Sequence, residues 1–299
     1  MKNVLVTGGC GFIGSHLVEE LLTLGCNVTV IDDKSSDNDK FHFHEKAIYF
    51  EETITDYERI KDKFDNIDTV FHLAAESRIG PSMENPRRAC EVNFMGTFNV
   101  LQAAREHKCK RVIYSSTSAC YGLKNKPPLK EEMKNDNLNP YSVSKLAGED
   151  LCLMYNNTFG LETIALRYFN VFGERMPSKG QYAPVLAVFL RQRSAGEPLT
   201  IVGDGLQSRD FVYVKDIVMA NILAASADSS KCGEVYNVGT GQSTTVLDIA
   251  KSLNHDYVHI PAREGESRAT LADNSKITKN LCWSPTKDIK TWINEQEQQ

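Results

Sequence analysis

The sequence predicts an α/β protein: a doubly wound parallel sheet followed by a smaller C-terminal α/β domain. Three observations predict it. Short apolar runs alternate with longer helical patterns through the first 168 residues. The first run ends in closely spaced glycines directly ahead of a helical pattern. Near residue 170 the alternation gives way to a mixture of turns, helices and short strands. The predicted domains are therefore residues 1–168 and 169–299, with some later segments expected to return to the first.

Each element follows from its pattern. "NVLVTGG" is a short apolar run closed by glycines, as suits a strand buried on both faces. "FIGSHLVEELLTLG" has apolar residues at 12, 13, 17, 18, 21, 22 and 24 and stops at Gly25, which reads as a helix and its C-terminal signal. "NVTVIDD", "DTVFHLAA", "RVIYSST" and "ETIALRYFNVFG" read as further strands, with "FMGTFNVLQAAREH" and "YSVSKLAGEDLCLMYNNTFG" as helices between them. Beyond residue 170, "PSKGQYAPVLAVFLRQRSAGEPLTIVGDG" predicts one helix and a short strand. "YVKDIVMANILAASA" predicts a helix, and "EVYNVGTGQSTTVLDIAKSL" a strand, a glycine turn and a helix. The charged tail "NEQEQQ" is expected to fray.

Composition narrows the function classes. The 299 residues are 41% hydrophobic, enough for a sizeable core. Lys and Arg number 34 against 39 Asp and Glu, and no basic block stands out, so a nucleic-acid binder is not expected. No apolar run approaches the roughly 18 residues of a membrane span. The N-terminus breaks into glycines too early for a signal peptide. Eight cysteines are scattered with no Cys-x-x-Cys pair, which predicts reduced thiols, no metal site and a cytoplasmic location.

Gly8, Gly11 and Gly14 sit between the first strand and the first helix. A pyrophosphate must approach backbone N–H groups at a helix N-terminus, and a side chain there would block it. Asp32 ends the second strand, where a ribose-binding carboxylate belongs. Such a carboxylate accepts from the ribose hydroxyls and repels a 2′-phosphate, and no Arg follows in "IDDKSSDN". The first domain is therefore predicted to be a Rossmann domain that binds NAD rather than NADP. Lys34 works against that preference, because an ammonium could meet a phosphate.

The fourth predicted strand ends in "YSSTSACYG", hydroxyl-rich at the edge where doubly wound sheets bind ligands. Tyr141 and Lys145 follow in "NPYSVSK", one helical turn apart and so on one face. A free phenol, with a pKa near ~10, is a poor base at neutral pH. A depression of about 3 units needs ~4 kcal/mol, which a neighbouring ammonium and a positive nicotinamide together could supply.

With "VTGGCGFIGSHLVEELL", "FHLAA", "LRYFNVFG" and "SRDFVYVKDI", these motifs resemble the extended short-chain dehydrogenase/reductases over nearly the whole chain. The likeness is to the NAD-dependent nucleotide-sugar epimerases and dehydratases, and within them to UDP-glucose and UDP-N-acetylglucosamine 4-epimerases. The resemblance implies Tyr141 as base, Lys145 as its activator and Thr117 as the hydroxyl that shuttles the substrate proton. It implies NAD contacts at Gly8, Gly11, Phe12, Ile13, Gly14, Asp32, Ile54, Leu73, Ala74, Ala75, Ser115 and Tyr168, besides Tyr141 and Lys145. Substrate contacts are implied at Ser77, Thr117, Tyr141, Asn170, Val202, Arg209, Arg263, Glu266 and Thr270, with Arg78 near the same place. Two guanidinium groups, Arg209 and Arg263, suit a doubly charged pyrophosphate.

The 4,6-dehydratases place Asp-Glu after the catalytic Thr, whereas this chain has Ser118 and Ala119. The machinery for eliminating water is missing and that for hydride transfer is kept, which predicts epimerisation. Thr270 occupies the family's gate beside the sugar's 2-substituent, and a small residue there leaves room for an N-acetyl group. The expected reaction is C4 epimerisation of a UDP-hexose, UDP-GlcNAc/UDP-GalNAc first and UDP-Glc/UDP-Gal second. The alternatives are another nucleotide-sugar epimerase, reductase or decarboxylase of the same fold, or a non-catalytic NAD(H) sensor. Thr53 departs from the family's adenine-binding Asp, and the chain is short for the family. Helices near 91–107 and 142–158 are expected to pair with their copies in a homodimer through a four-helix bundle.

Overall fold

The computed structural model describes residues 1–36, 40–178, 183–262 and 267–297. The strands are β1 Asn3–Thr7, β2 Asn27–Ile31, β3 Ile48–Phe50, β4 Thr69–His72, β5 Arg111–Thr117, β6 Glu162–Tyr168, β7 Asn170–Phe172, β8 Leu199–Val202, β9 Ser208–Tyr213, β10 Glu234–Val238, β11 Ser243–Thr245 and β12 Tyr257–Ile260. The helices are α1 Phe12–Thr23, α2 Tyr57–Ile60, α3 Ile79–Glu84, α4 Pro86–Cys90, α5 Thr97–Glu106, α6 Pro140–Phe159, α7 Val185–Ser194, α8 Val214–Ser226, α9 Val246–Ser252, α10 Ser275–Leu281 and α11 Ile289–Glu297. A π-helical turn, Glu91–Gly96, joins α4 to α5.

Seven strands form one sheet in the order β10-β6-β5-β4-β1-β2-β3, and every pairing in it is parallel. Six of them follow the doubly wound order 3-2-1-4-5-6, and β10 extends the edge beside β6. Both faces are covered, so the strands read as unbroken apolar runs: Val4, Leu5 and Val6 are fully buried. Residues from α1 and α8 fill the core on one face, and residues from α5 and α6 fill it on the other. A third core, with Phe172, Phe189, Phe211 and Trp292, holds together the small lobe of β7, β9 and β11, β8 and β12, and α7, α9 and α11.

Glycines end two of the long helices, and the first of them acts as read. Gly25 takes φ +78 just past α1, and Gly160 takes φ +71 after α6, left-handed positions that end a helix cheaply. Other expectations need correction. "ETIALRYFNVFG" is two strands: β6 stays in the large sheet, while β7 pairs with β9 in the small lobe. β3, β9, β11 and β12 escaped the sequence reading; β3, β11 and β12 are short or exposed, with no alternation to mark them. The tail is helical through 294–297, because buried Ile289, Trp292 and Ile293 anchor α11. Segments beyond residue 169 lie with the first sheet: β10 completes it, and α8 packs against α1, β5 and β6. No helix among the described residues is long and apolar enough to cross a membrane.

Candidate active site

The site is built at the carboxyl ends of β1, β2, β4 and β5. Gly8 follows β1 with φ +72, and a Cβ there would stand 2.7 Å from the Ala74 nitrogen. A Cβ on Gly14 would collide with the Gly8 carbonyl oxygen. The loop can therefore turn this tightly onto α1 only with glycine at both positions. Gly11 caps α1, and no side chain takes up its first N–H groups, so the positive end of the helix faces the cleft. Phe12 and Ile13 open the helix and lean on the small lobe's core.

Asp32 sits across this loop. Its Oδ2 accepts from the Cys10 N–H at 2.9 Å and its Oδ1 from the Lys34 N–H at 2.8 Å. Burial raises its pKa, and those two donors oppose the rise. On the far side, Ile54 is buried against Gly96, and Asn99 Nδ2 donates to the carbonyls of Ile54 and Thr55 at 3.0 and 3.1 Å. The Thr53 hydroxyl bonds that of Thr55 at 3.0 Å.

Leu73, Ala74 and Ala75 leave β4 directly under Gly8. A directional chain of hydrogen bonds holds them there. The Ala74 N–H donates to Thr7 Oγ1, which lies 2.7 Å from His72 Nδ1, and His72 Nε2 lies 2.9 Å from Thr97 Oγ1. Thr97 Oγ1 in turn donates to the Asn93 carbonyl at 2.7 Å. Because Thr97 spends its proton on that carbonyl, it must accept from His72. The imidazole then carries its proton on Nε2 and accepts from Thr7 on Nδ1. Burial keeps it neutral, with a pKa lowered to about 3.

The catalytic candidates stand at the carboxyl end of β5 and the start of α6. Asn139 and Ser142 form a reciprocal cap, Pro140 takes the first helical position, and the Tyr141 N–H donates to Ser82 Oγ at 3.1 Å. Tyr141 keeps part of its surface open to the cleft, whereas Lys145 is only 3% exposed. Burial raises the phenol's pKa, and the Thr117 hydroxyl opposes the rise. Burial lowers the Lys145 ammonium to about 7. Its Nζ lies 4.3 Å from the centre of the Tyr114 ring, and the Tyr114 hydroxyl donates to the Lys145 carbonyl at 3.0 Å. The lysine is thus held against a neighbouring ring, and the groups acting on Tyr141 are burial, Thr117 and Cys120. Thr117 Oγ1 also accepts from the Ala119 N–H at 3.1 Å. Ser115 and Tyr168 bond one another at 2.9 Å, and Asn221 donates to Tyr168 at 2.7 Å, so those hydroxyls are occupied within the protein.

The small lobe brings a second group together. Asn170 Nδ2 donates to the Asp210 carbonyl at 3.0 Å and lies 3.4 Å from Thr270 Oγ1, which also accepts from the Asp210 N–H. Arg209 stands beside them on β9, with Nη1 on the Ser208 carbonyl at 2.9 Å. The Asp210 carboxylate is fully buried and takes N–H groups from Thr240, Gly241 and Ala272, which makes it structural. Val202 ends β8, its carbonyl tied to Gln207 at 3.0 Å. Ser77 is exposed ahead of α3, in a segment held by paired hydrogen bonds between Asn93 and the Glu76 backbone. Arg263 and Glu266 lie outside the described residues.

The sequence reading missed Thr7, His72, Asn93, Asn99 and Tyr114. Each is a buried polar group whose partner is far away in the chain, and periodicity counts such residues as core. A polar side chain inside an otherwise apolar run, such as His72 in "TVFHLAA", is the one signal that could have raised them. A glycine loop no side chain could share, an uncapped helix start and a carboxylate one strand away together fit a dinucleotide's pyrophosphate and ribose.

The profile of the NAD dependent epimerase/dehydratase family matches residues 4–239. A putative UDP-glucose 4-epimerase of Methanocaldococcus jannaschii is 35% identical over 298 residues, spanning 97% of this chain and 95% of that protein. A UDP-N-acetyl-alpha-D-glucosaminuronate decarboxylase of Bacillus cytotoxicus is 37% identical over 276 residues, spanning 87% of this chain and 84% of that one. Among solved structures, the UDP-N-acetylglucosamine 4-epimerase of Methanobrevibacter ruminantium in complex with UDP-N-acetylmuramic acid superposes with a TM-score of 0.90 at 34% identity, covering 99% of each chain.

Proposed function

Because the chain belongs to the NAD dependent epimerase/dehydratase family, with NAD as its cofactor, we propose that it inverts C4 of a UDP-hexose, with UDP-GlcNAc as its preferred substrate. The observation that carries this reading is the pairing of Tyr141, Lys145 and Thr117 with Ser118 and Ala119. The sequence offers a phenol base with a hydroxyl and an ammonium near it, and Ser118 and Ala119 rather than carboxyls follow Thr117. NAD, when bound, takes hydrogen from C4 as hydride and returns it. The remaining work falls to the chain's own residues.

Tyr141 takes the proton of the 4-hydroxyl, with Thr117 sharing the hydrogen bond, and returns it when the carbinol reforms. Lys145 binds the ribose hydroxyls beside the base. The glycine loop and the start of α1 hold the pyrophosphate, Asp32 the adenosine ribose, and Ile54 the flank of the adenine. Asn170 and Arg209, with Arg263, grip the substrate diphosphate, which leaves the oxidised sugar free to present its other face. Thr270 leaves space beside C2 and is tied back by Asn170 and Asp210, which supports room for an N-acetyl group.

The test is incubation of purified protein, without added NAD, with UDP-GlcNAc, UDP-Glc and UDP-GlcA, read by NMR. C4 epimers of UDP-GlcNAc support the reading. Release of carbon dioxide from UDP-GlcA would favour a decarboxylase like the Bacillus relative, and no turnover of any substrate would refute catalysis. The helical face carrying Phe94, Met95, Phe98, Val143 and Met154, all solvent-exposed, supports a homodimer that buries it. A cytoplasmic location remains part of the proposal, resting on the unpaired cysteines.

A further inference from the structure

Beside the glycine loop lies a pocket of about 130 Å³ lined by Cys10, Asp32, Lys34, Phe43, Tyr49 and Glu51. It flanks the carboxylate proposed to meet the adenosine ribose, where a 2′-phosphate would distinguish NADP from NAD. Two cations stand near the residues that follow β2, and each carries a carboxylate partner from another element. Arg88 on α4 pairs with Asp33 at 3.4 Å. Lys34 pairs with Glu51, which follows β3. The Lys34 backbone has φ +54, its N–H is fixed on Asp32, and its Nζ lies 5.3 Å from the centre of the Phe43 ring. Both the backbone and the ammonium of Lys34 are therefore held in place.

We propose that Glu51 is a cofactor-specificity residue: by pairing with Lys34 it removes the ammonium that lines this pocket from the service of a 2′-phosphate. The physical reason is twofold. An ammonium already matched to a carboxylate gains little from a second anion, and Glu51 adds its own repulsion to that of Asp32. Among the described residues, the pocket lining then holds two carboxylates against one ammonium. A ribose hydroxyl tolerates this balance and a phosphate dianion does not.

The test is binding of NADH and NADPH, measured by displacement of bound nucleotide and by cofactor fluorescence, for wild type, E51Q, K34M and E51Q/K34M. Glu51 is largely exposed, so E51Q should fold normally. Wild type should prefer NADH. E51Q should tighten NADPH about tenfold while changing NADH less than about twofold, and K34M added to E51Q should remove most of the gain, leaving only the part due to Glu51's own repulsion. An equal effect of E51Q on both nucleotides, or none on either, overturns the proposal. A gain that survives undiminished in E51Q/K34M also overturns it, because repulsion by Glu51 alone would then account for the preference and Lys34 would have no part in it.

Discussion

Lys145→Met should stabilise the protein freed of nucleotide, and the gain should depend on pH. Burial lowers the Lys145 ammonium from its usual 10.5 to about 7. At 1.36 kcal/mol per unit, the folded state carries a burden of ~5 kcal/mol wherever the group is charged in both states, below pH 7. Between pH 7 and 10.5 the unfolded chain binds the extra proton, so stability rises with pH, and above that range the burden is gone. Integrating one titration between those two values, wild type should gain about 2–3 kcal/mol from pH 6 to 9 relative to the Met variant. Urea unfolding of both proteins at half-unit steps measures this difference, and the variant should be the more stable at pH 6. A stability difference that stays flat within ~0.5 kcal/mol across the range would refute the account of a lysine strained by burial. The same variant should lose turnover, since Lys145 is retained at a cost in stability for its part in the site.

Other outcomes follow from the same structure. Tyr141→Phe should keep nucleotide binding and lose turnover by roughly 10²- to 10⁴-fold, read by single-substrate NMR assay. Thr270→Tyr should cut turnover of UDP-GlcNAc at least about tenfold while sparing UDP-Glc, checked by competing the two substrates. Arg167→Met should destabilise by ~3–5 kcal/mol in urea, because it leaves the Glu149 carboxylate, 2% exposed, without the guanidinium that holds both its oxygens. Met95→Glu, at an exposed position on the proposed dimer face, should shift sedimentation from dimer to monomer without loss of the fold.

How much was legible in advance can be judged from particular residues. Gly8 and Gly14 were legible because their requirement is local: a positive φ in one case and a carbonyl at contact distance in the other. Asp32, Tyr141 and Lys145 were legible because their spacing from a strand end or along a helix places them without knowledge of anything else. What Lys145 does with its charge was not legible. Spacing put it on the face of Tyr141, whereas the fold sets its Nζ against Tyr114, 31 residues earlier in the chain.

The sequence alone determined the parallel α/β class, the first strand and helix with the glycine loop between them, and the one-turn spacing of Tyr141 and Lys145. These depend on hydrophobic period and backbone freedom, which act within a few residues. Only the tertiary structure decided that β10 returns to the first sheet and that "ETIALRYFNVFG" divides between two sheets. It alone paired Lys34 with Glu51 and made His72 a neutral link between Thr7 and Thr97. Each of these joins groups far apart in the chain, and their energies arise from burial and hydrogen-bond geometry that exist only once the elements have packed.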